Sequence, residues 1–71
     1  MFTEMEIEIL KKLYQHETAY ISFVTNDISE INDLKRKLVS GAIELDGKYI
    51  RLTPEGRYCV SEILKNQNVF I

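Results

Sequence analysis

The chain has 71 residues, of which 45% are hydrophobic and 28% charged, and its formal net charge is −2. This length leaves room for one domain with a small core, and the composition is typical of globular rather than disordered chains. Apolar runs of only a few residues exclude a membrane-spanning helix, and the acidic N-terminus MFTEMEIEIL is unlike a signal peptide. We therefore expect one cytoplasmic domain over residues 1–71, with a core over 1–66 and an apolar C-terminal tail at 67–71.

Reactive side chains are few. Cys59 is the only cysteine, which excludes an internal disulfide and a multi-thiolate zinc site. We expect it to be a small core or boundary residue. His16 is the only histidine, and we expect it to be solvated or to cap a helix end. With no Gly-rich phosphate loop either, the sequence predicts a protein that is not an enzyme and that has no cofactor or metal site.

The first predicted element is an amphipathic helix over residues 4–15. Thr3 and Glu6 are spaced as a capping box, and Phe2 and Ile7 are spaced as a hydrophobic staple. Apolar residues then recur at helical spacing, namely Met5, Ile9, Leu10, Leu13 and Tyr14.

Residues 18–27, TAYISFVTND, are compatible with two structures. Their β-branched and aromatic content favours a strand. Their length also suits a two-turn helix that opens a helix-turn-helix, and the turn and helix that follow favour this alternative. Either Asp27 or Ser29 can cap the next helix.

That next helix is predicted over residues 28–40. Gly41 follows it and would supply a left-handed C-cap. Acids lie towards its start and bases towards its end, as the helix dipole favours. The inward stripe comprises Ile28, Ile31, Leu34 and Leu38.

Residues 42–52, AIELDGKYIRL, predict a β-hairpin. The pair Asp46-Gly47 is typical of a type I′ turn, in which both central residues need positive φ. A loop formed by these two residues pairs Glu44 with Tyr49. The period of two puts Ile43, Leu45, Ile50 and Leu52 on the buried face, and Glu44, Tyr49 and Arg51 on the open face.

A last helix is predicted to begin at Pro54, with Thr53 as its N-cap. Proline suits the first helical position because its missing amide would have no partner there. The apolar stripe of this helix, Val60, Ile63 and Leu64, runs to about residue 66.

The stretch DLKRKLVSGAIELDGKYIRLTPEGRYCV, residues 33–60, resembles the second half of bacterial and phage winged helix-turn-helix proteins. In those proteins a recognition helix ends at a glycine, a strand and a wing follow, and LTPEGR begins the closing helix. The resemblance implies an α+β, mostly α fold of three to four helices and a two-stranded wing, with room for a third short strand. It also implies a small transcriptional regulator of prokaryotic, archaeal or phage origin that binds double-stranded DNA.

In winged helix-turn-helix proteins the third helix enters the major groove of DNA, and the wing contacts the DNA backbone or the minor groove. Asn32 would read a base through its amide, and Lys48 at the wing tip would hold the backbone. Arg51 could equally pair with Glu44 diagonally across the hairpin. The implied DNA-binding residues are Asn32, Lys35, Arg36, Lys37, Ser40, Lys48, Tyr49 and Arg51.

The charge distribution keeps a second function open. Residues 1–33 carry a net charge of −5 and residues 34–71 a net charge of +3. The predicted recognition helix opens with Glu30 and Asp33, which repel a DNA backbone. A winged helix recruited as a protein-interaction module, such as a phage-type inhibitor or adaptor, would instead direct an acidic face towards a basic partner.

The apolar tail and the first helix predict a homodimer. The apolar residues of that helix spread over a wider arc than one small core needs. A symmetric dimer would also space two recognition helices about one DNA turn apart. Folding of the tail onto the helix of its own chain is the alternative. The predicted interface comprises Phe2, Val69, Phe70 and Ile71.

Overall fold

The computed structural model describes residues 2–67, and it is α+β and mostly helical. Its elements in chain order are α1 (Glu4–Gln15), β1 (Ala19–Tyr20), α2 (Ile21–Val24), α3 (Ile28–Lys37), β2 (Ile43–Asp46), β3 (Tyr49–Leu52) and α4 (Pro54–Asn66). The strands form one antiparallel sheet in the order β1–β3–β2. The expected fold class is confirmed, and the element order fits a winged-helix-like arrangement. Within the described residues, no helix is long and apolar enough to cross a membrane.

The core lies where α1 and α4 pack on each other and on β3. α3 joins the same cluster through Ile31 and Leu34, which are fully buried, as predicted. The other fully buried large side chains are Leu10, Leu13, Ile50, Val60 and Leu64.

α1 begins as predicted. The Thr3 hydroxyl accepts from the Glu6 amide at 3.1 Å, and the Thr3 amide donates to the Glu6 carboxylate at 2.8 Å, which completes the capping box. Met5, which belongs to the apolar residues at helical spacing, is 58% exposed. It lies about 90° around the helix from the centre of the buried face, because each residue turns the helix by about 100°.

Residues 18–27 form a strand and then a single helical turn, so the predicted two-turn helix is wrong. β1 pairs with β3, which places Ala19 opposite Ile50 and Tyr20 opposite Tyr49. The Ile21 amide then donates to the Lys48 carbonyl at 2.8 Å, and α2 follows. The strand preference of the β-branched and aromatic residues prevails here because Ala19 and Tyr20 can pair with the open edge of β3.

α3 begins and ends in ways that the sequence left partly open. Asp27 is its N-cap and accepts from the Ser29 amide at 3.0 Å. The helix ends at Lys37, three residues before the predicted end, and Leu38 turns into the core instead. Gly41 has a φ of 78° but does not cap the helix. It occupies the third position of a tight turn at 39–42, where a type II turn needs positive φ.

The hairpin forms, but its predicted register is wrong. Asp46 pairs with Tyr49, so the two loop residues are Gly47, with a φ of 61°, and Lys48. Moving the loop by one residue shifts each cross-strand partner by two, so every side chain keeps its predicted face. Three of the four predicted inward residues, Ile43, Ile50 and Leu52, are buried, whereas Leu45 is 36% exposed.

The start of α4 is fixed against the turn at 39–42. The Thr53 hydroxyl accepts from the Gly56 amide at 3.2 Å and donates to the Gly41 carbonyl at 2.6 Å. The Thr53 amide donates to the Ala42 carbonyl at 3.0 Å. At Gly56 a β-carbon would overlap the Ala42 carbonyl oxygen and lie 2.9 Å from its Cα, so only glycine fits this approach.

Candidate nucleic-acid interface

The outer side of α3 carries three of the residues predicted to contact DNA. Asn32, Lys35 and Arg36 are exposed there, because buried Ile31 and Leu34 turn the opposite side of the helix into the core. Ser40, expected on the same helix, lies beyond its end in the turn at 39–42, beside α4.

Lys37 does not belong to this outer surface. Its Nζ lies 2.8 and 2.9 Å from the two carboxylate oxygens of Glu6 and 5.7 Å from the ring centroid of Phe2. The Glu6 side chain is 9% exposed and that of Lys37 is 38% exposed, so the pair is partly open to water on the lysine side. The hydrogen bond from Lys37 is the main cause that holds the pKa of Glu6 below its usual value, with the Thr3 amide second. Lys37 therefore ties α3 to α1.

Two more of the predicted cations are paired with acids. Arg36 Nη1 lies 3.4 Å from Asp33 Oδ1, one turn earlier on α3, with both side chains well exposed. Arg51 donates from Nη2 and Nε to Glu44 Oε1 at 2.8 and 3.1 Å. The alternative pairing of Arg51 with Glu44 is confirmed, although the two residues lie directly opposite rather than diagonally.

Tyr49 is also engaged within the chain. It stacks on Tyr20 of the neighbouring strand, with ring centroids 4.9 Å apart and an interplanar angle of 28°. Hydrogen bonding with the Tyr20 side chain raises the pKa of the Tyr49 hydroxyl above its usual range. The rings cover each other on the open face of the sheet.

Two predicted cations, Lys35 and Lys48, make no ion pair with residues 2–67.

Acids also lie on or beside α3 and the hairpin. Asp27 caps α3, and the hydrogen bond from the Ser29 hydroxyl is the main cause that lowers its pKa. Glu30 has one carboxylate oxygen that is buried without a hydrogen-bond partner in the described part of the chain. Asp46 lies at the end of β2, two residues before Lys48.

A shallow groove separates the hairpin tip from the start of α3. Its apolar residues are Tyr20, Ile21 and Ile28, of which Tyr20 is 54% and Ile28 48% exposed, and Lys48 is its charged residue. Ile28 was expected to face the core. It is the first helical residue of α3 and precedes the buried stripe that begins at Ile31.

The remaining predicted sites are distributed over the fold. Phe2 is half-buried against the core, and the other residues of the expected dimer interface, Val69, Phe70 and Ile71, lie outside the described residues. Cys59 is half-buried against the same core. His16 is the C-cap of α1 and meets the Phe23 ring edge-on at 5.3 Å. Residues 2–67 contain no group of three or more His, Cys, Asp or Glu side chains that could hold a metal ion.

Arg57, to which the sequence assigned no role, connects α4 with the end of α1. Its Nη2 donates to the Tyr14 carbonyl at 2.9 Å, and its guanidinium lies 4.8 Å from the centroid of the Tyr14 ring. The contact spans 43 residues of sequence, so no local pattern could have revealed it.

Comparison of the chain with protein-family models, curated proteins and solved structures found no significant match.

Proposed function

We propose that this chain is a winged-helix protein-interaction module that acts in the cytoplasm by binding rather than by catalysis. The observation that carries the proposal is the pairing of its predicted DNA-binding cations. Three of the five, Arg36, Lys37 and Arg51, are held by carboxylates of the same chain.

Neutralised cations bind DNA weakly. Affinity for the DNA backbone comes from counterions that are released when positive groups replace them, so it requires a surface that is positive overall. At physiological salt an exposed charge acts over about 8–10 Å, the Debye length, and each of these carboxylates lies well within that distance of its cation, so a phosphate that approaches the cation is also repelled by the acid. Even if Arg36 turned to a phosphate, Asp33 would remain beside the phosphate.

The uncharged part of the same surface suits a protein. The groove between the hairpin tip and α3 is bordered by half-exposed Tyr20 and Ile28. Aromatic and aliphatic side chains in a concave surface are typical of protein interfaces, whereas surfaces that bind DNA are rich in positive charge.

A second candidate, a homodimeric DNA-binding regulator, is favoured by one observation. Lys35 and Lys48 make no ion pair with residues 2–67, and Asn32 is exposed on the same helix as Lys35. Exposed pairs such as Arg36–Asp33 contribute only about 0–1 kcal/mol, so phosphates could compete for these cations.

Titration with duplex DNA tests the proposal. A random-sequence duplex is the right probe because the electrostatic part of DNA binding is independent of sequence. We expect no binding tighter than about 100 μM at about 50 mM or about 200 mM salt.

Charge-reversal variants define the opposite outcome. Micromolar binding that falls steeply with salt, is abolished by K35E/K48E and is retained by K65E would establish the regulator instead. Lys65 is a positional control because it is an exposed cation on α4, outside α3 and the hairpin.

A further inference from the structure

An apolar surface groove runs along α4. Tyr58, which is 70% exposed, stands on one side, and Val39, which is 51% exposed, stands on the other. Cys59 and Ile63 form the half-buried floor. The groove extends from Pro54 to Asn66, and an α-helix of this length measures about 18 Å.

Two acids line this groove. Glu55 and Glu62 lie seven residues apart on α4, so they occupy the same side of the helix two turns apart. Neither makes an ion pair with residues 2–67. At about 100° per residue both acids lie between Tyr58 and Cys59 around the helix, so the groove is apolar at Cys59 and Ile63 and negative between these residues and Tyr58.

We infer that this groove binds a basic amphipathic helix of a partner protein. An amphipathic helix places apolar anchors at positions i, i+3 or i+4, and i+7, and a straight groove of about three turns accommodates two or three of them. Lysine or arginine residues beside those anchors would face Glu55 and Glu62. The inference rests on the proposed function and assigns it a surface and a partner.

Charge argues against a second copy of the chain as the occupant. In a symmetric dimer the same patch meets itself, so Glu55 and Glu62 of one copy would approach those of the other. Like charges placed together in an interface disfavour association. A basic partner removes this repulsion and neutralises both acids.

The experiment measures binding of labelled model peptides to the full chain by fluorescence anisotropy. The probe is an amphipathic helix of about 14 residues with Leu at i, i+4 and i+7 and Lys on both sides of the apolar stripe. One control peptide has Glu in place of every Lys, and a second has the same composition in a scrambled order. We expect the first peptide to bind at least about tenfold more tightly than either control.

Variants locate the binding site. Y58A should weaken binding about tenfold, because it removes the most exposed apolar side chain of the groove, whereas M5A, which removes a similarly exposed side chain elsewhere, should leave binding unchanged. E55K/E62K should invert the preference towards the acidic peptide, and E17K, at an exposed acid in a loop, should not. All five positions are at least partly exposed, so thermal midpoints should stay close to that of the parent chain.

Three results would overturn the inference. They are equal binding of all three peptides, equal effects of Y58A and M5A, or a dimer that Y58A dissociates in sedimentation. If I28S abolished peptide binding while Y58A did not, the proposed function would stand, but the groove between the hairpin and α3 would be its site. DNA binding abolished by K35E/K48E would overturn the proposed function itself, irrespective of the peptides.

Discussion

The sequence resembles winged helix-turn-helix proteins in two regions of this molecule, and the residues of these two regions make different kinds of contact. At the start of α4, Thr53 and Gly56 hold the helix against the turn at 39–42. On α3 and the hairpin, Arg36 and Arg51 lie in solvent beside acids of their own chain. The contacts of the first region serve packing within the chain. The second is where DNA contacts would have to be made.

The difference shows what the LTPEGR motif can support. Leu52 is in the core, Thr53 caps α4, Pro54 begins it, Gly56 permits the close approach and Arg57 binds the end of α1. Each of these residues has a structural task within the chain. The motif therefore supports the fold and carries no information about the ligand.

The largest effect is expected at Gly56. G56A places a β-carbon against the Ala42 carbonyl, and because both partners are backbone, neither can move aside cheaply. We expect the free energy of unfolding to fall by about 3 kcal/mol in chemical denaturation. E55A, one residue earlier at an exposed position, is the control. A G56A variant as stable as E55A would show that α4 does not approach the turn this closely.

A smaller effect is expected at the hairpin loop. Gly47 has a φ of 61°, which β-branched residues resist, so G47V should lower the free energy of unfolding by about 1–2 kcal/mol. G47N should lose much less, since asparagine tolerates the left-handed region. Thermal denaturation compares the two variants, and equal midpoints would contradict the positive φ.

Local chemistry explains which features the sequence predicted. The caps at Thr3 and Thr53, the helix starts and the existence of the hairpin depend on residues within about four positions of each other. The predictions of the hairpin register and of the end of α3 were wrong because both features depend on tertiary packing. Gly47 could enter the loop at either of two positions, and Gly41 could end a helix or occupy a turn.

The candidate site was the least predictable part because one of its three ion pairs joins residues that are far apart in the sequence. Glu6 and Lys37 are 31 residues apart, and both had roles in local patterns, one in the capping box and the other at the positive end of α3. No local rule indicates that the two side chains meet. The Arg51–Glu44 pair could be proposed because a hairpin sets its own neighbours.

The ion pair of Glu6 and Lys37 gives the next prediction. Because the pKa of Glu6 in the folded chain lies below its usual value of 4.5, protonation of Glu6 favours unfolding. The stability contributed by the pair is fully present above that value and is lost as pH falls through the folded pKa. K37M removes the main cause of the shift, so it should cost about 1 kcal/mol at neutral pH, given that the lysine is partly exposed.

Denaturation at several pH values checks this expectation. Between about pH 5 and about pH 3 the stability of the parent chain should fall more steeply than that of K37M. K35M, which removes a cation without an ion pair from the same helix, should keep the steep fall. Parallel pH profiles for the parent and K37M would contradict the role of Lys37 in binding Glu6.

The smallest change in stability is expected when the acids that neutralise α3 and the hairpin are removed. This change is also the sharpest test of the comparison between the two regions. D33N/E44Q keeps the size of both side chains and should alter the free energy of unfolding by less than about 1 kcal/mol, since both ion pairs are exposed. The same variant leaves Arg36 and Arg51 without their carboxylates. If neutralisation is what limits DNA binding, its affinity for random-sequence duplex at about 50 mM salt should rise about tenfold, with a steeper salt dependence. E55Q/E62Q changes the net charge equally on α4, outside α3 and the hairpin, and it should produce a smaller rise. Equal affinities for both double variants would mean that the pairing of cations on α3 and the hairpin does not limit DNA binding, which would contradict the basis of the proposed function.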